Sequence, residues 1–230
     1  VYEVGSSKSL SPFKDTGLVG YWTFEEGSGG TVYDKSSYGF NGTWYGTGSH
    51  YGTGKVGSYS GKFNTPTVTS DYVLIPTQLA STTHGIAEAS LLMWIKLDNE
   101  IPANPYNGLI QLTGYANSNG GFYPYTTGLI YSDTFKTDRV QAISYTGYSL
   151  TGWHLLAITT TYGTNGWKMY MNGNVIKQMT GEATVATNYQ NVTIGLNSSS
   201  RRTQGYIDDV RIYNYALSAS EIKAIYNATR

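Results

Sequence analysis

Cysteine is absent from the 230 residues of the chain. Its absence excludes disulfides, thiolate metal sites and a cysteine nucleophile. Charge is scarce as well, since 13% of the residues are charged, the 15 basic and 15 acidic side chains cancel, and the chain has no basic tract. A nucleic-acid-binding surface is therefore not indicated. No segment reaches the ~18 apolar residues of a membrane span, so none is predicted.

Tyrosine and glycine are abundant instead, with 22 and 28 residues. Tyr, Thr and Val suit the pleated surface of a sheet, whereas Gly and Asn suit turns. A chain of this length is ordinary for one large β domain. The charge-poor composition, rich in Tyr, Asn and Thr, favours an extracellular or cell-surface location. Because the chain begins with Val1 rather than Met, we expect it to be one domain of a larger protein.

Short apolar or alternating runs, separated by turn residues, predict about a dozen strands. The longest apolar run covers residues 89–97 and predicts a strand that is buried on both faces. Asn172 and Gly173 lie between two strand-like runs, which is the strongest short-range signal of a hairpin. Residues 114–128 are rich in Gly, Asn and aromatic side chains and are predicted to be a long loop.

One helix is predicted, at the end of the chain. Ser218 and Glu221 match a capping box, and Ile222, Ile225 and Tyr226 give the helix an apolar face. The predicted fold class is therefore all-β, a two-sheet antiparallel sandwich with a short C-terminal helix.

Residues 205–213 are predicted to form a strand in which one carboxylate, that of Asp208, lies on the core face. Side chains alternate between the faces of a strand, so Asp208 is predicted to share the core face with Val210 and Ile212. The same alternation predicts that Asp209 faces solvent. A buried carboxylate must be hydrogen-bonded, ion-paired or bound to a metal. Asp208 is therefore predicted to have a partner elsewhere in the chain.

Six segments occur in the order seen in laminin-G-like, concanavalin A-like jelly-roll domains. They are GLVGYWTFEEGSGGTVYDKSSYGFNGT (17–43), SLLMWIKL (90–97), GWHLLAITTT (152–161), WKMYMNGNVI (167–176), VTIG (192–195) and GYIDDVRIYNYALSASEIKAIY (205–226). The chain resembles this family over residues 17–230, and residues 1–16 are interpreted as a lead-in or linker. The resemblance implies a two-sheet jelly roll that binds carbohydrate or protein outside the cell, in many members with a structural calcium ion.

A calcium site is the sharpest hypothesis for the acidic residues. Ca²⁺ takes about six to eight oxygen ligands, and Glu26, Asp34 and Asn41 lie around one Gly-rich turn region. The first and last strands of a jelly roll are commonly neighbours, which would bring Asp208 to them. These four residues are the predicted metal ligands. The alternative is that Asp208 and Glu26 accept hydrogen bonds from backbone N–H groups or from Trp and Tyr donors.

Catalysis is not indicated by the arrangement of the acids. A glycosidase needs two carboxylates across a cleft, about 5–9.5 Å apart. The adjacent pairs at residues 25–26 and 208–209 would instead point to opposite faces of a strand.

Aromatic and amide side chains in two segments are candidate ligand contacts, because sugar rings stack on aromatic faces and amides hydrogen-bond to hydroxyls. The candidates are Tyr115, Asn117, Asn119, Phe122, Tyr123 and Tyr125 in the first segment, and Trp44, Tyr45 and Tyr51 in the second. Composition alone also produces aromatic loops in a chain with 22 Tyr, so these residues could equally be exposed side chains without a ligand.

The sequence thus predicts a non-catalytic extracellular recognition module for a glycan or a protein partner. The alternatives are a structural or display domain of a surface appendage and, with less support, a polysaccharide-degrading enzyme.

Overall fold

A computed structural model describes residues 16–63, 71–76, 88–99, 108–114, 119–125, 129–132, 140–144, 149–161, 166–179, 189–197 and 201–230. Residues 1–15 of the predicted lead-in at residues 1–16 lie outside these ranges. In chain order the first nine strands are β1 (Leu18–Trp22), β2 (Thr31–Val32), β3 (Gly42–Tyr45), β4 (Tyr51–Thr53), β5 (Tyr59–Phe63), β6 (Tyr72–Pro76), β7 (Ala89–Leu97), β8 (Ile110–Gly114) and β9 (Asn119–Tyr125). The remaining elements are β10 (Leu129–Ser132), β11 (Val140–Ser144), β12 (His154–Thr160), β13 (Trp167–Met171), β14 (Asn174–Met179), β15 (Tyr189–Ile194), β16 (Leu196–Asn197), β17 (Arg201–Arg202), β18 (Gly205–Tyr213) and the helix α1 (Ala219–Thr229).

The strands form two eight-stranded sheets and a two-stranded ribbon. The first sheet has the spatial order β14-β13-β12-β7-β18-β5-β4, and β1 also pairs with β18. The second has the order β11-β10-β9-β8-β15-β6-β3-β2, and β16 with β17 forms the ribbon. All pairings are antiparallel. The predicted two-sheet antiparallel jelly roll with a C-terminal helix is confirmed.

The strand β7 lies in the middle of the first sheet and is buried on both faces, as predicted. Leu91 and Met93 belong to the core between the sheets. Leu92 and Trp94, on the other face, belong to a second cluster that also contains residues of α1. Because α1 covers the outer face of the sheet, every residue of β7 except the half-buried Lys96 is buried.

Specific hydrogen bonds are present near both ends of the helix α1. The Ser218 side chain accepts from the Glu221 backbone N–H, and the Glu221 carboxylate accepts from that of Ser218, which confirms the predicted capping box. Near the other end, Trp94 Nε1 donates to Thr229 Oγ1 over 3.0 Å. Within the described parts of the chain, no helix is both long and apolar enough to cross a bilayer.

Two loop predictions had opposite outcomes. Asn172 and Gly173 both have positive φ, 53° and 77°, as a tight two-residue hairpin turn requires, and they join β13 to β14 as predicted. The predicted loop at residues 114–128 is wrong, because residues 119–125 form β9. Pairing with β8 on one side and β10 on the other outweighs the weak intrinsic strand preference of a segment with Gly and Pro.

Candidate functional site

The closing strand β18 changes its neighbour along its length. Residues 205–207 pair with β5, whereas residues 210–213 pair with β1. The predicted contact between the first and last strands is thus present. Asp208 and Asp209 lie between the two pairings, where the register with β7 also shifts, and Asp209 has a φ of 50°. These features define a β-bulge, which re-aims the side chains of a strand.

The bulge corrects two predictions about the acidic pair. Ile207, Val210 and Ile212 all contribute to the core between the sheets, although strict alternation would separate Ile207 from the other two. Asp208 therefore does not share the face of Val210 and Ile212. Asp209, predicted to face solvent, is 1% exposed. Both predictions failed because an extra residue shifts the phase of every side chain that follows it.

Asp208 is fully buried and bonded to the turn between β4 and β5. Its Oδ2 accepts from the backbone N–H groups of Lys55 (2.8 Å) and Val56 (2.9 Å), and its Oδ1 accepts from that of Asp209 (2.7 Å). Burial raises the pKa of Asp208 to about 7, although the three hydrogen bonds act in the opposite direction. Hydrogen bonding, the stated alternative to a metal, therefore accounts for the buried Asp208 carboxylate. These bonds join the turn between β4 and β5 to the closing strand β18.

Stability should depend on pH through Asp208. Its pKa in the folded chain lies above its ordinary value of 3.8, so the folded state retains a proton that the unfolded state loses between about pH 4 and pH 7. The free energy of unfolding should therefore fall as pH rises through this interval. Denaturant unfolding from about pH 5 to pH 8 should show a smaller fall for Asp208→Asn, which cannot titrate, than for the wild type. The exposed Asp98→Asn is the matched control, and identical pH profiles of wild type and Asp208→Asn would contradict this assignment.

Asp209 forms a buried ion pair on the same strand. Arg211 Nη2 lies 2.9 Å from Asp209 Oδ2, and it donates to the Tyr21 hydroxyl over 3.2 Å. The guanidinium also lies over the Tyr21 ring, 4.6 Å from its centroid. Burial and the Asp209 charge raise the pKa of the Tyr21 phenol. The three side chains join β1 to β18, which indicates a structural role.

Asp34 occupies the centre of the turn that leads to β3. Its Oδ1 accepts from the N–H groups of Tyr21 (2.8 Å) and Ser36 (2.9 Å). Its Oδ2 accepts from Ser36 Oγ (2.7 Å) and the Phe40 N–H (2.8 Å). Asn41 Oδ1 in turn accepts from the Asp34 N–H over 3.0 Å. Four donors of the protein therefore hydrogen-bond to the Asp34 carboxylate, and the oxygens that accept these bonds are the ones that a cation would need as ligands.

The four predicted calcium ligands do not form one set. Glu26 Oε1 accepts from the Tyr33 N–H over 3.1 Å, which places Glu26 near Asp34 and Asn41 as predicted, but Asp208 binds the other turn. No group of three His, Cys, Asp or Glu side chains that could hold a metal occurs in the ranges that the structure describes. Calcium binding stays a prediction, and comparing the melting temperature in EDTA and in added Ca²⁺ tests it.

A polar cleft of about 360 Å³ opens beside the edge strand β4. Its lining comprises four glycines, four Ser or Thr residues, His50, Tyr51 and Tyr59, contributed by residues 27–29, 48–53 and 58–59. The lining therefore offers hydroxyl groups, glycine backbone and aromatic rings, in a concave site close to the predicted segment with Trp44 and Tyr45.

Two residues of the turn after β1 position the outer wall of the cleft. Glu25 Oε1 accepts from the backbone N–H groups of Ser58 (2.9 Å) and Tyr59 (2.8 Å). Gly27 has a φ of 65°, and a Cβ at this position would lie 2.7 Å from the Tyr59 ring. Only glycine allows both the conformation and this close approach. Tyr59 is held in place and still 44% exposed.

Trp44 supports the inner wall from the core. It is 6% exposed, its ring stacks on His50 at a centroid distance of 4.6 Å, and its Nε1 donates to the Tyr51 hydroxyl over 3.2 Å. The structure thus corrects the placement of Trp44, which offers no face to a ligand but positions two residues that line the cleft. Sequence alone could not make this distinction because core and platform tryptophans look alike in a short strand.

Tyr45 follows Trp44 on β3 and points away from the core. It is exposed, and its ring stacks on that of Tyr72, with 4.9 Å between the centroids and an angle of 5°. The pair forms a flat aromatic surface on the outer face of the second sheet. Tyr45 as a ligand contact stays a prediction.

The other predicted ligand contacts are placed only through their backbone or not at all. Tyr115 and Asn117 lie outside the described residues. Asn119, Phe122, Tyr123 and Tyr125 lie on β9, where they pair with Thr113, Ile110, Tyr131 and Leu129 respectively. Their role in ligand binding stays a prediction.

Sequence reasoning missed most of the cleft. Its walls come from segments that are rich in Gly, Ser and Thr, and such residues are ordinarily interpreted as turns. The available signal was the recurrence of aromatic residues beside these turns, at His50, Tyr51 and Tyr59.

Comparison with solved structures found the same fold in toxin binding domains. A structure described as "Cell entry of botulinum neurotoxin type C is dependent upon interaction with two ganglioside molecules" superposes with a TM-score of 0.72 and 16% identity, covering 93% of this chain and 51% of that one. The botulinum neurotoxin DC binding domain in complex with rat synaptotagmin II gives 0.70 and 14%, covering 93% and 52%. The same domain in complex with SialylT gives 0.71 and 14%, covering 94% and 52%. The chain thus spans about half the length of these structures.

Sequence comparisons identify the family. A search among curated proteins gave no match. Residues 67–223, more than half of the chain, match the family Laminin_G_3, described as the concanavalin A-like lectin/glucanases superfamily. Together with the two-sheet antiparallel jelly roll, this match shows that the chain belongs to the Laminin_G_3 family of the concanavalin A-like lectin/glucanase superfamily.

Proposed function

We propose that the chain is an extracellular recognition module that binds a saccharide in the polar cleft and does not transform it. The composition of the cleft carries this proposal. Sugars are recognised by an apolar or aromatic surface together with a few placed hydrogen-bonding groups, and the lining supplies both. Its volume of about 360 Å³ suits one or two sugar units, at the small end of the usual range for ligand pockets.

Tyr59 is the central contact of the proposed site. Its ring is exposed, yet the hydrogen bonds that the local backbone donates to the Glu25 carboxylate and the close approach of Gly27 restrict its position. A restricted aromatic ring loses little conformational freedom when it stacks on a ligand. Tyr51 adds a hydroxyl that is already oriented by Trp44.

Binding without catalysis agrees with the chemistry of the lining. The described residues that line the cleft include no carboxylate, whereas glycoside hydrolysis ordinarily uses a pair of them. The Glu25 carboxylate accepts hydrogen bonds from the Ser58 and Tyr59 N–H groups and acts as a support. The solved neighbours described as binding domains support recognition as well.

A glycan is the favoured partner because the site is concave and small. A protein partner ordinarily needs about 800 Å² of complementary surface on each side, which a cleft of this size does not supply alone. The exposed Tyr45 ring, stacked on the half-buried Tyr72 ring, would extend the contact for a longer glycan, and the β9 residues remain candidates for the same role.

A glycan array of the intact chain tests the proposal. We expect selective binding that Tyr59→Ala weakens about tenfold or more, which corresponds to about 1.4 kcal/mol. Tyr38→Ala is the matched control, because Tyr38 is 42% exposed and lies outside the cleft, and it should bind like the wild type. Equal melting temperatures would show that both variants fold. Binding that Tyr59→Ala leaves intact would contradict the cleft as the site.

A further inference from the structure

A row of lysine and aromatic side chains crosses the outer face of the first sheet beside the cleft. We call it the lysine platform, and its members are Lys62, Lys96, Trp153 and Tyr206. We infer that the lysine platform binds a carboxylate or sulfate group of the saccharide that the cleft holds; this inference rests on the proposed function. It follows from the register of three strands, from the charges nearby and from a contact with the cleft wall.

Three neighbouring strands bring the lysines together. Tyr206 on β18 lies directly opposite Lys62 on β5 and directly opposite Lys96 on β7. Residues opposite each other in antiparallel strands share a face of the sheet, and neighbouring strands are ~4.8 Å apart. The two lysines therefore flank Tyr206 on both sides, with their backbones ~10 Å from each other.

Aromatic rings form the surface between the two lysines. Lys96 Nζ lies 5.2 Å from the centroid of the Tyr206 ring. The Trp153 ring is 6.2 Å from the Tyr206 ring, at an angle of 57°. All four side chains of the lysine platform are half-buried, so packing of the stems leaves less conformational freedom to be lost when a ligand binds.

The two ammonium groups are not balanced by nearby acids. In the parts of the chain that the structure describes, neither Lys62 nor Lys96 is ion-paired with a carboxylate. Asp98 is exposed and lies two residues beyond Lys96. Asp208, two residues beyond Tyr206, is fully buried and accepts three backbone hydrogen bonds. A ligand with an acidic group thus has complementary charge at the lysine platform.

The lysine platform meets the cleft at Gly52, which belongs to the cleft lining. A Cβ at Gly52 would lie 2.5 Å from Tyr206 Cε1 and 3.7 Å from Lys62 Cβ, so both side chains contact the strand that forms a cleft wall. None of the described lining residues is Lys or Arg. A saccharide in the cleft therefore reaches ammonium groups only where it extends onto the lysine platform, and lysine binds carboxylate and similar anions through charge-assisted hydrogen bonds.

Matched glycans test this assignment. The intact chain would be applied to N-acetyllactosamine- and lactose-terminated glycans, each printed in neutral, sialylated and sulfated forms, and the best-bound set would be titrated in solution. We expect an acidic member to bind about fivefold or more tightly than its neutral counterpart at low salt, as two partly exposed charge pairs can provide. The difference should shrink as added salt screens the charges.

Variants show whether the lysine platform causes the difference. The double variant Lys62→Gln with Lys96→Gln should bind acidic and neutral members alike, with the affinity for the neutral member unchanged. Lys168→Gln is the matched control and should keep the preference. Lys168 is half-buried on the same sheet, and its row, with Thr159 and Ser90, crosses β7 six residues before Lys96, ~20 Å away. Tyr59→Ala should weaken both members, because it acts in the cleft.

The possible failures can be told apart. Equal binding of acidic and neutral members, or a preference that survives in the double variant, would overturn the inference while the proposed function stands. Binding to phosphatidylserine vesicles that the double variant abolishes, without a preference among the glycans, would assign the lysine platform to a membrane surface and overturn the inference as well. Binding to no printed glycan would overturn the proposed function and the inference together.

Discussion

Replacing Arg211 by Met should lower the free energy of unfolding by about 3–5 kcal/mol, the range measured when one partner of a buried ion pair is removed. The substitution keeps most of the apolar stem but leaves the Asp209 carboxylate buried without the cation that lies 2.9 Å away. It also removes the donor to Tyr21 and the cation above its ring. Urea unfolding followed by tryptophan fluorescence measures the change.

The double variant Asp209→Asn with Arg211→Met is the control. Asn tolerates the positive φ at position 209 better than most residues, and the pair then carries no buried charge. We expect the double variant to recover much of the lost stability, because the loss comes from the stranded carboxylate rather than from packing. A loss below about 1 kcal/mol in the single variant, the size seen for surface pairs, would show that solvent reaches the pair.

Replacing Trp44 by Ala should lower the free energy of unfolding by about 3–5 kcal/mol, as for other large aromatic residues removed from a core. Trp44 packs on Phe63 at a centroid distance of 4.9 Å, and it stacks on His50. An exposed tryptophan that serves as a sugar platform would instead change stability by about 0.5 kcal/mol or less. Thermal or urea unfolding distinguishes the two roles directly.

The matched control is Trp44→Phe, which retains an aromatic ring but loses the hydrogen bond from Nε1 to the Tyr51 hydroxyl. We expect a smaller loss of stability and a weakened glycan affinity, because Tyr51 would no longer be oriented. A full loss of affinity with unchanged stability in Trp44→Ala would contradict the core assignment and restore Trp44 as a direct contact.

The elements that sequence predicted well are those in which one local signal dominates. The capping box at Ser218 and Glu221 and the Asn172–Gly173 turn depend on neighbours within a few residues, and the apolar run at residues 89–97 could be explained only by burial on both faces. Prediction failed for β9, whose strand conformation comes from its partners. It also failed at Asp208 and Asp209, where the alternation breaks because β18 exchanges β5 for β1 as its neighbour.

The candidate site was less predictable than the fold. Asp208 was rightly predicted to need a partner, and that partner is the backbone at residues 55 and 56. Because almost every residue has the same backbone N–H group, residue type does not show which of these groups will bond to a carboxylate. Trp44 was predicted as a ligand contact, together with Tyr45 and Tyr51, from residue type alone. The position of Tyr59 depends on the Glu25 carboxylate and on Gly27, which only the folded chain brings to it. The contact of Glu25 with Ser58 and Tyr59 joins two turns that are 33 or 34 residues apart in the chain, and it forms only when the sandwich has assembled.

Mapping a bound saccharide by amide NMR tests the central claim most directly. The ¹⁵N-labelled chain would be titrated with the glycan that binds most tightly on the array, and the shifts of the backbone amides would be followed. The account predicts that the perturbed amides cluster at residues 27–29, 48–53 and 58–59. Perturbations confined to β3, β6 or β9, with the amides of the cleft unchanged, would contradict it.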